Sequence, residues 1–160
     1  MAKNLQIRLA IFDVDGVLTD GTKLYYEDGT VSKVFHDQDS YGLQLLKGNG
    51  VEVAIVSSDE RVNLKWAEHQ KFPFWRSDDK AGTVKRLLDN YKCDLSQTSF
   101  MGDDLRDIEA MKLVLYSIAP ANAVAEVRDV AKYCLQKTGG SGAVREAVEL
   151  ILRINGDNDT

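Results

Sequence analysis

A short apolar run, Leu9-Ala10-Ile11-Phe12, stops at Asp-Val-Asp-Gly, with Asp13 and Asp15 one residue apart. This junction constrains the chain more than any other. Extended backbone puts side chains two apart on one side, so both carboxylates leave the strand together. Paired carboxylates repel and are costly to bury; a cation between them, or a proton on one, relieves the cost. The same residues also suit a strand end entering a polar turn, since Asp and Gly favour turns. The motif alone leaves both readings open, and the residues downstream decide.

Those residues alternate between short apolar runs and amphipathic stretches. Strands are expected over residues 7–12, 51–56, 98–101, 115–118 and 133–135. Helical spacing falls between them, over residues 39–49, 62–69, 79–91, 108–114, 123–130 and 143–155. Asp39 or Ser40 suits an N-cap for the first helix. Such alternation predicts an α/β fold, a Rossmann-like parallel sheet with helices on both faces. One departure comes early: two alternating runs flank Glu27-Asp28-Gly29, a hairpin signal, giving a β-hairpin insertion at about 22–35 after the first strand. Tyr25, Tyr26 and Val31 on it are apolar enough to face another subunit or to pack on their own domain. The chain reads as a single domain over 1–160, with a flexible tail at about 156–160.

Ligands of parallel sheets bind at the carboxyl ends of the strands. Asp13 and Asp15 follow the first strand, Ser57-Ser58-Asp59 the second, and Asp103 and Asp104 the third; Lys80 opens the helix between the last two. That placement favours function over an ordinary turn. Carboxylates gathered there suit a hard cation such as Mg²⁺. His36 and His69 are isolated, and Cys93 and Cys134 have no metal spacing; they read as reduced thiols of a cytoplasmic protein. A net charge of −5 without a basic stripe makes nucleic acid a poor partner. No apolar run approaches a membrane span, and Met1–Arg8 is too short and polar for a secretion signal.

A cation, a lysine and a hydroxyl together suit a phosphoryl group. Asp13, at the end of a strand, is placed to be the nucleophile. Asp15, two residues on, can protonate the leaving oxygen and then activate water.

With DVDG, Ser57, Lys80 and Gly-Asp-Asp-Leu-Arg-Asp in that order, the chain resembles the haloacid dehalogenase superfamily of phosphatases. The resemblance implies Mg²⁺ held by Asp13, the backbone carbonyl of Asp15, and Asp103, with Asp104 and Asp107 supporting them. Asp107 also reads as a solvated helix charge. A narrower likeness covers FDVDGVLTDG, the hairpin, KVFHDQDSYGLQLLK, MGDDLRD and TGGSGAVREAVELIL. It resembles the 3-deoxy-D-manno-octulosonate 8-phosphate phosphatases and their nonulosonate 9-phosphate relatives, including phosphatase-like domains fused to acylneuraminate cytidylyltransferases. These have no cap domain, and their hairpin builds a homotetramer in which a neighbour covers the active site. What is implied is a phosphorylated keto-sugar acid as substrate, with His36, Ser58 and Asp59 near it. Ser57-Ser58-Asp59 departs from the family's Thr-Gly-Arg or Thr-Gly-Glu, so the position facing the sugar-acid carboxylate carries the opposite charge to the octulosonate enzymes. Arg61, Lys65 or Arg76 then either replace that cation or are solvated. Dehalogenation is disfavoured by Asp15, and a response-regulator receiver by the order of the acidic motifs. A catalytically idle partner of a cytidylyltransferase is disfavoured by intact Asp13, Asp15, Lys80 and Asp103.

Overall fold

The computed structural model describes residues 4–156. Six parallel strands form one sheet in the order β5-β4-β1-β6-β7-β8. They are β1 (Leu9–Phe12), β4 (Glu52–Ser57), β5 (Phe74–Arg76), β6 (Thr98–Met101), β7 (Tyr116–Ala119) and β8 (Tyr133–Cys134). β2 (Leu24–Tyr25) and β3 (Val31–Ser32) pair antiparallel as a separate hairpin. The chain runs outward from β1 through β4 to β5, then returns past β1 to begin β6. The direction of winding therefore reverses between β1 and β6, and the crevice above that point is where such folds bind ligands.

Alternation along the strands sorts the core into two layers. Ala10, Phe12, Val53 and Ile55 face α1 (Asp37–Gly48), α2 (Arg61–Gln70) and α6 (Ala143–Gly156). Leu9, Ile11, Ala54 and Val56 face α3 (Lys80–Tyr91), α4 (Ile108–Leu113) and α5 (Ala125–Val130). β1 is buried on both faces, as expected of a central parallel strand. The predicted parallel sheet, the hairpin and the lack of a cap domain are all observed. No helix among the described residues is long and apolar enough to cross a membrane.

Three expectations need correction. Phe74–Arg76, where no strand is expected, is an edge strand. Asp39 does not cap its own helix, which starts at Asp37 after His36. It is fully buried and accepts the Arg145 N–H at 2.9 Å, capping the first turn of α6 instead. Val31 is only half-exposed, whereas Leu24 (58 %), Tyr25 (62 %), Tyr26 (49 %) and Val34 (82 %) are the apolar side chains the hairpin leaves open. Of the expected tail, Gly156 closes α6 and the rest lies outside the described residues.

Candidate active site

Asp13 follows β1 directly, and its N–H donates to Met101 O at 3.1 Å, tying the end of β1 to the end of β6. The loop then tightens until the N–H groups of Val17, Leu18 and Thr19 all point at Val14 O. Gly16 has φ +81°, and a Cβ there would fall 1.8 Å from Asp103 Oδ2. Only glycine lets this loop lie against that carboxylate. The turn before α6 closes from above: Gly139 packs where a Cβ would stand 2.1 Å from Gly16 O. Asn122 clamps the contact, donating to Gly16 O at 3.0 Å and accepting from Gly139 N at 2.7 Å.

Lys80 opens α3, whose N-cap Asp79 accepts the Gly82 N–H at 3.0 Å. Its side chain is 9 % exposed; the ammonium lies 3.2 Å from Asp13 Oδ1 and donates to Asp107 Oδ1. Asp107 is wholly buried, and its Oδ2 accepts the N–H groups of Asp103 (2.9 Å) and Asp104 (3.2 Å). It is no solvated helix charge: it orients the lysine and shapes the loop that carries Asp103. Asp104 is exposed at the rim and accepts from Leu105 N at 2.7 Å.

Carboxylate oxygens of Asp13, Asp103 and Asp107 lie within 4.8 Å of one another. Burial raises the Asp13 carboxyl well above its usual range, Asp107 adds to the shift, and Lys80 opposes it. Burial and the neighbouring carboxylates of Asp107 and Asp104 push Asp103 up to about 7. Burial pulls Lys80 down, but Asp13 and Asp107 more than offset it and leave the ammonium raised. One lysine does not neutralise this group. A hard divalent cation fits it, because Asp13 and Asp103 keep oxygens free of protein donors on the crevice side while Asp107 is spent on Lys80 and the loop.

Ser57 ends β4. Its Oγ accepts from Asn63 Nδ2 at 3.1 Å and from Asp59 N at 3.2 Å. With both lone pairs engaged, the hydroxyl hydrogen is left to donate into the crevice. Asp15 faces the hairpin: its Oδ1 is 2.8 Å from Lys33 Nζ and its Oδ2 accepts from Asn63 Nδ2 at 3.1 Å. Asp59 is engaged on both oxygens, by Arg61 (3.0 and 2.8 Å), Lys33 (2.9 Å) and Lys23 (3.4 Å). Arg61 in particular holds its carboxyl well below the usual range.

Asp13, Asp15, Ser57, Ser58, Lys80, Asp103, Asp104 and Asp107 all line one cleft of about 190 Å³, joined by Lys23 and Arg106. Asp59 turns away to the hairpin, and His36 stands outside the lining, its Nδ1 buried without a partner. Arg61 pairs with Asp59 and Arg76 with Asp78, so neither offers a free cation. Sequence reasoning missed Lys33, Asn63 and Asn122. Lys33 lies just past β3, outside the strand, and left no trace of its own. The two asparagines left none either.

A profile of haloacid dehalogenase-like hydrolases matches residues 75–147. The 3-deoxy-D-manno-octulosonate 8-phosphate phosphatase KdsC of Yersinia pestis is 35 % identical over 152 residues, covering 91 % of this chain and 80 % of that protein. The chain belongs to this phosphatase family of haloacid dehalogenase-like hydrolases. It is accordingly a phosphatase. The Moraxella catarrhalis 3-deoxy-D-manno-octulosonate 8-phosphate phosphatase, solved with magnesium, phosphate and KDO, superposes with a TM-score of 0.91 at 36 % identity, covering 98 % of this chain and 92 % of that one. A cobalt-bound Haemophilus influenzae phosphatase gives 0.90 at 31 % identity, covering 94 % and 90 %.

Proposed function

We infer that this phosphatase hydrolyses a phosphorylated 2-keto-3-deoxy sugar acid of the KDO 8-phosphate type, with Mg²⁺, through an aspartyl-phosphate on Asp13. The observation that carries the reading is the position of Asp13: it ends β1 at the reversal of winding, 3.2 Å from a buried lysine and beside the Asp103 carboxylate. The carboxylates of Asp13 and Asp103 and the backbone carbonyl of Asp15 would hold the ion, which supplies positive charge to the phosphoryl oxygens and keeps Asp13 ionised. Lys80 and the Ser57 hydroxyl line the same cleft and would address the phosphoryl oxygens.

The first step forms a bond from an Asp13 oxygen to phosphorus and breaks the bond to the sugar oxygen, which takes a proton from Asp15. In the second step Asp15 accepts a proton from water as that water attacks phosphorus, releasing inorganic phosphate and restoring Asp13. Arg106 at the cleft mouth offers positive charge to the sugar-acid carboxylate, whereas Lys23, also in the lining, is paired with Asp59; Ser58 lines the same cleft.

The exposed Leu24, Tyr25 and Val34 support assembly through the hairpin, as a homotetramer in the family pattern, with a neighbour covering this open cleft. Asp59 favours the nonulosonate 9-phosphates as the second reading. Phosphate release from KDO 8-phosphate and from nonulosonate 9-phosphates, with and without Mg²⁺, tests both. The expected result is a Mg²⁺-dependent preference for KDO 8-phosphate; equal rates on both and on a simple ester would refute the sugar-acid assignment.

A further inference from the structure

Lys33 lies just past β3, at the foot of the hairpin, and its side chain is 0 % exposed. A buried ammonium is costly unless charged and polar groups surround it. Here Nζ donates to Asp59 Oδ2 and to Asn63 Oδ1, each at 2.9 Å, and stands 2.8 Å from Asp15 Oδ1. Asn63, also fully buried, divides its two amide hydrogens between Asp15 Oδ2 and Ser57 Oγ, both at 3.1 Å. Asn63 thus hydrogen-bonds one oxygen of Asp15 while the Lys33 charge faces the other as an ion pair, and neither group lines the cleft. Two residues beyond Lys33, Phe35 stacks on Trp66 of α2 with ring centroids 4.7 Å apart, fixing the foot of the hairpin against the helix that carries Asn63.

We propose that Lys33 is a positioning residue for Asp15: tethered by Asp59 and Asn63, its ammonium fixes the Asp15 carboxylate for proton transfer and makes the hairpin a working part of the active site. The proposal rests on the reading of Asp15 as the acid that protonates the leaving oxygen. An aspartate on a loop has freely rotating side-chain torsions, and a misplacement of about 1 Å at a reacting group costs about 100-fold in rate. Lysine suits the task as a compact point charge that three acceptors can surround. A lysine that merely pinned the hairpin would lower every activity alike. A lysine acting through Asp15 penalises only the steps that need a proton moved.

The test compares leaving groups, with Mg²⁺ present throughout. p-Nitrophenyl phosphate releases a phenolate that needs no proton, whereas an alkyl phosphate must be protonated as it leaves. In Lys33→Met, the first turnover of the alkyl ester should slow about 10- to 100-fold, while the first-turnover burst of p-nitrophenolate should stay within about threefold. Lys33→Arg keeps the charge but not its compact placement, and should show the same asymmetry at smaller size, which covers the case in which Lys33→Met fails to fold. Equal losses on both esters, or no loss on either, would overturn the proposal. Asp15→Asn is the reference. If it shows the asymmetry and the Lys33 variants do not, the role of Lys33 alone fails; if Asp15→Asn shows none, the reading of Asp15 fails and takes the proposal with it.

Discussion

Two clusters of charge sit side by side in this molecule, and they are built on opposite principles. Around Asp13, three carboxylates face one ammonium, and burial drives the carboxyls of Asp13 and Asp103 up. Around Asp59, Lys23, Lys33 and Arg61 face Asp59 and Asp15, and the Asp59 carboxyl is driven down. The first cluster is short of positive charge and the second is not. Only the first therefore gains from a divalent cation, while the second is complete within the protein and fixes geometry. Acidic residues alone do not mark a metal site; the balance of charge around them does.

Removing a charge from the deficient cluster breaks the comparison most directly. Asp13→Asn should lower turnover by about 10⁴-fold or more, since it removes the nucleophile. The same change should raise the melting temperature of the metal-free protein, because the buried site resists the ionised carboxylate. A gain in turnover, or a fall in metal-free melting temperature, would contradict the charge-deficient picture.

A titration of stability gives a smaller effect on the same cluster. Asp103 is raised from an unfolded value near 3.8 to about 7, so between those values the folded state binds more protons than the unfolded one. Its stabilising contribution is therefore present at low pH and lost as pH rises through about 7. Metal-free protein should melt several degrees higher near pH 5 than near pH 8, and millimolar Mg²⁺ at pH 8 should recover the difference. A melting temperature unchanged by Mg²⁺ at pH 8 would argue against the cation site.

The smallest effect belongs to the balanced cluster. Asp59→Asn should cost about 1–2 kcal/mol in a denaturant titration, because Lys33, Arg61 and Lys23 lose the negative charge they share. It should leave the Mg²⁺-dependent stabilisation intact; a change there would mean that the two clusters are one.

Much of this was legible in the sequence, for definable reasons. The central strands announce themselves because both faces are buried and every side chain is apolar, as in Leu9–Phe12. Asp13, Ser57, Lys80 and Asp103 could be placed because each follows or opens such an element. β5 was overlooked because an edge strand of three residues, preceded by Pro73, carries too little pattern. Asp107 was ambiguous because an acidic residue at a helix start is equally at home in water; only its burial against Lys80 settles it. Asp39 was assigned to the wrong helix because its partner, Arg145, lies more than a hundred residues away. Lys33 and Asn63 matter through one another, and no local spacing encodes that.

The contact between Gly139 and the loop after Asp13 also bears on when the protein becomes an enzyme. The backbone carrying both key aspartates is clamped by Asn122 and by the Gly139 turn, both made more than a hundred residues after it. A ribosome-bound chain lacking that turn has every catalytic side chain but no lock on the loop. Hydrolytic competence thus waits for residues made long after the nucleophile itself, and fragments ending before residue 139 should bind phosphate poorly whatever else they fold.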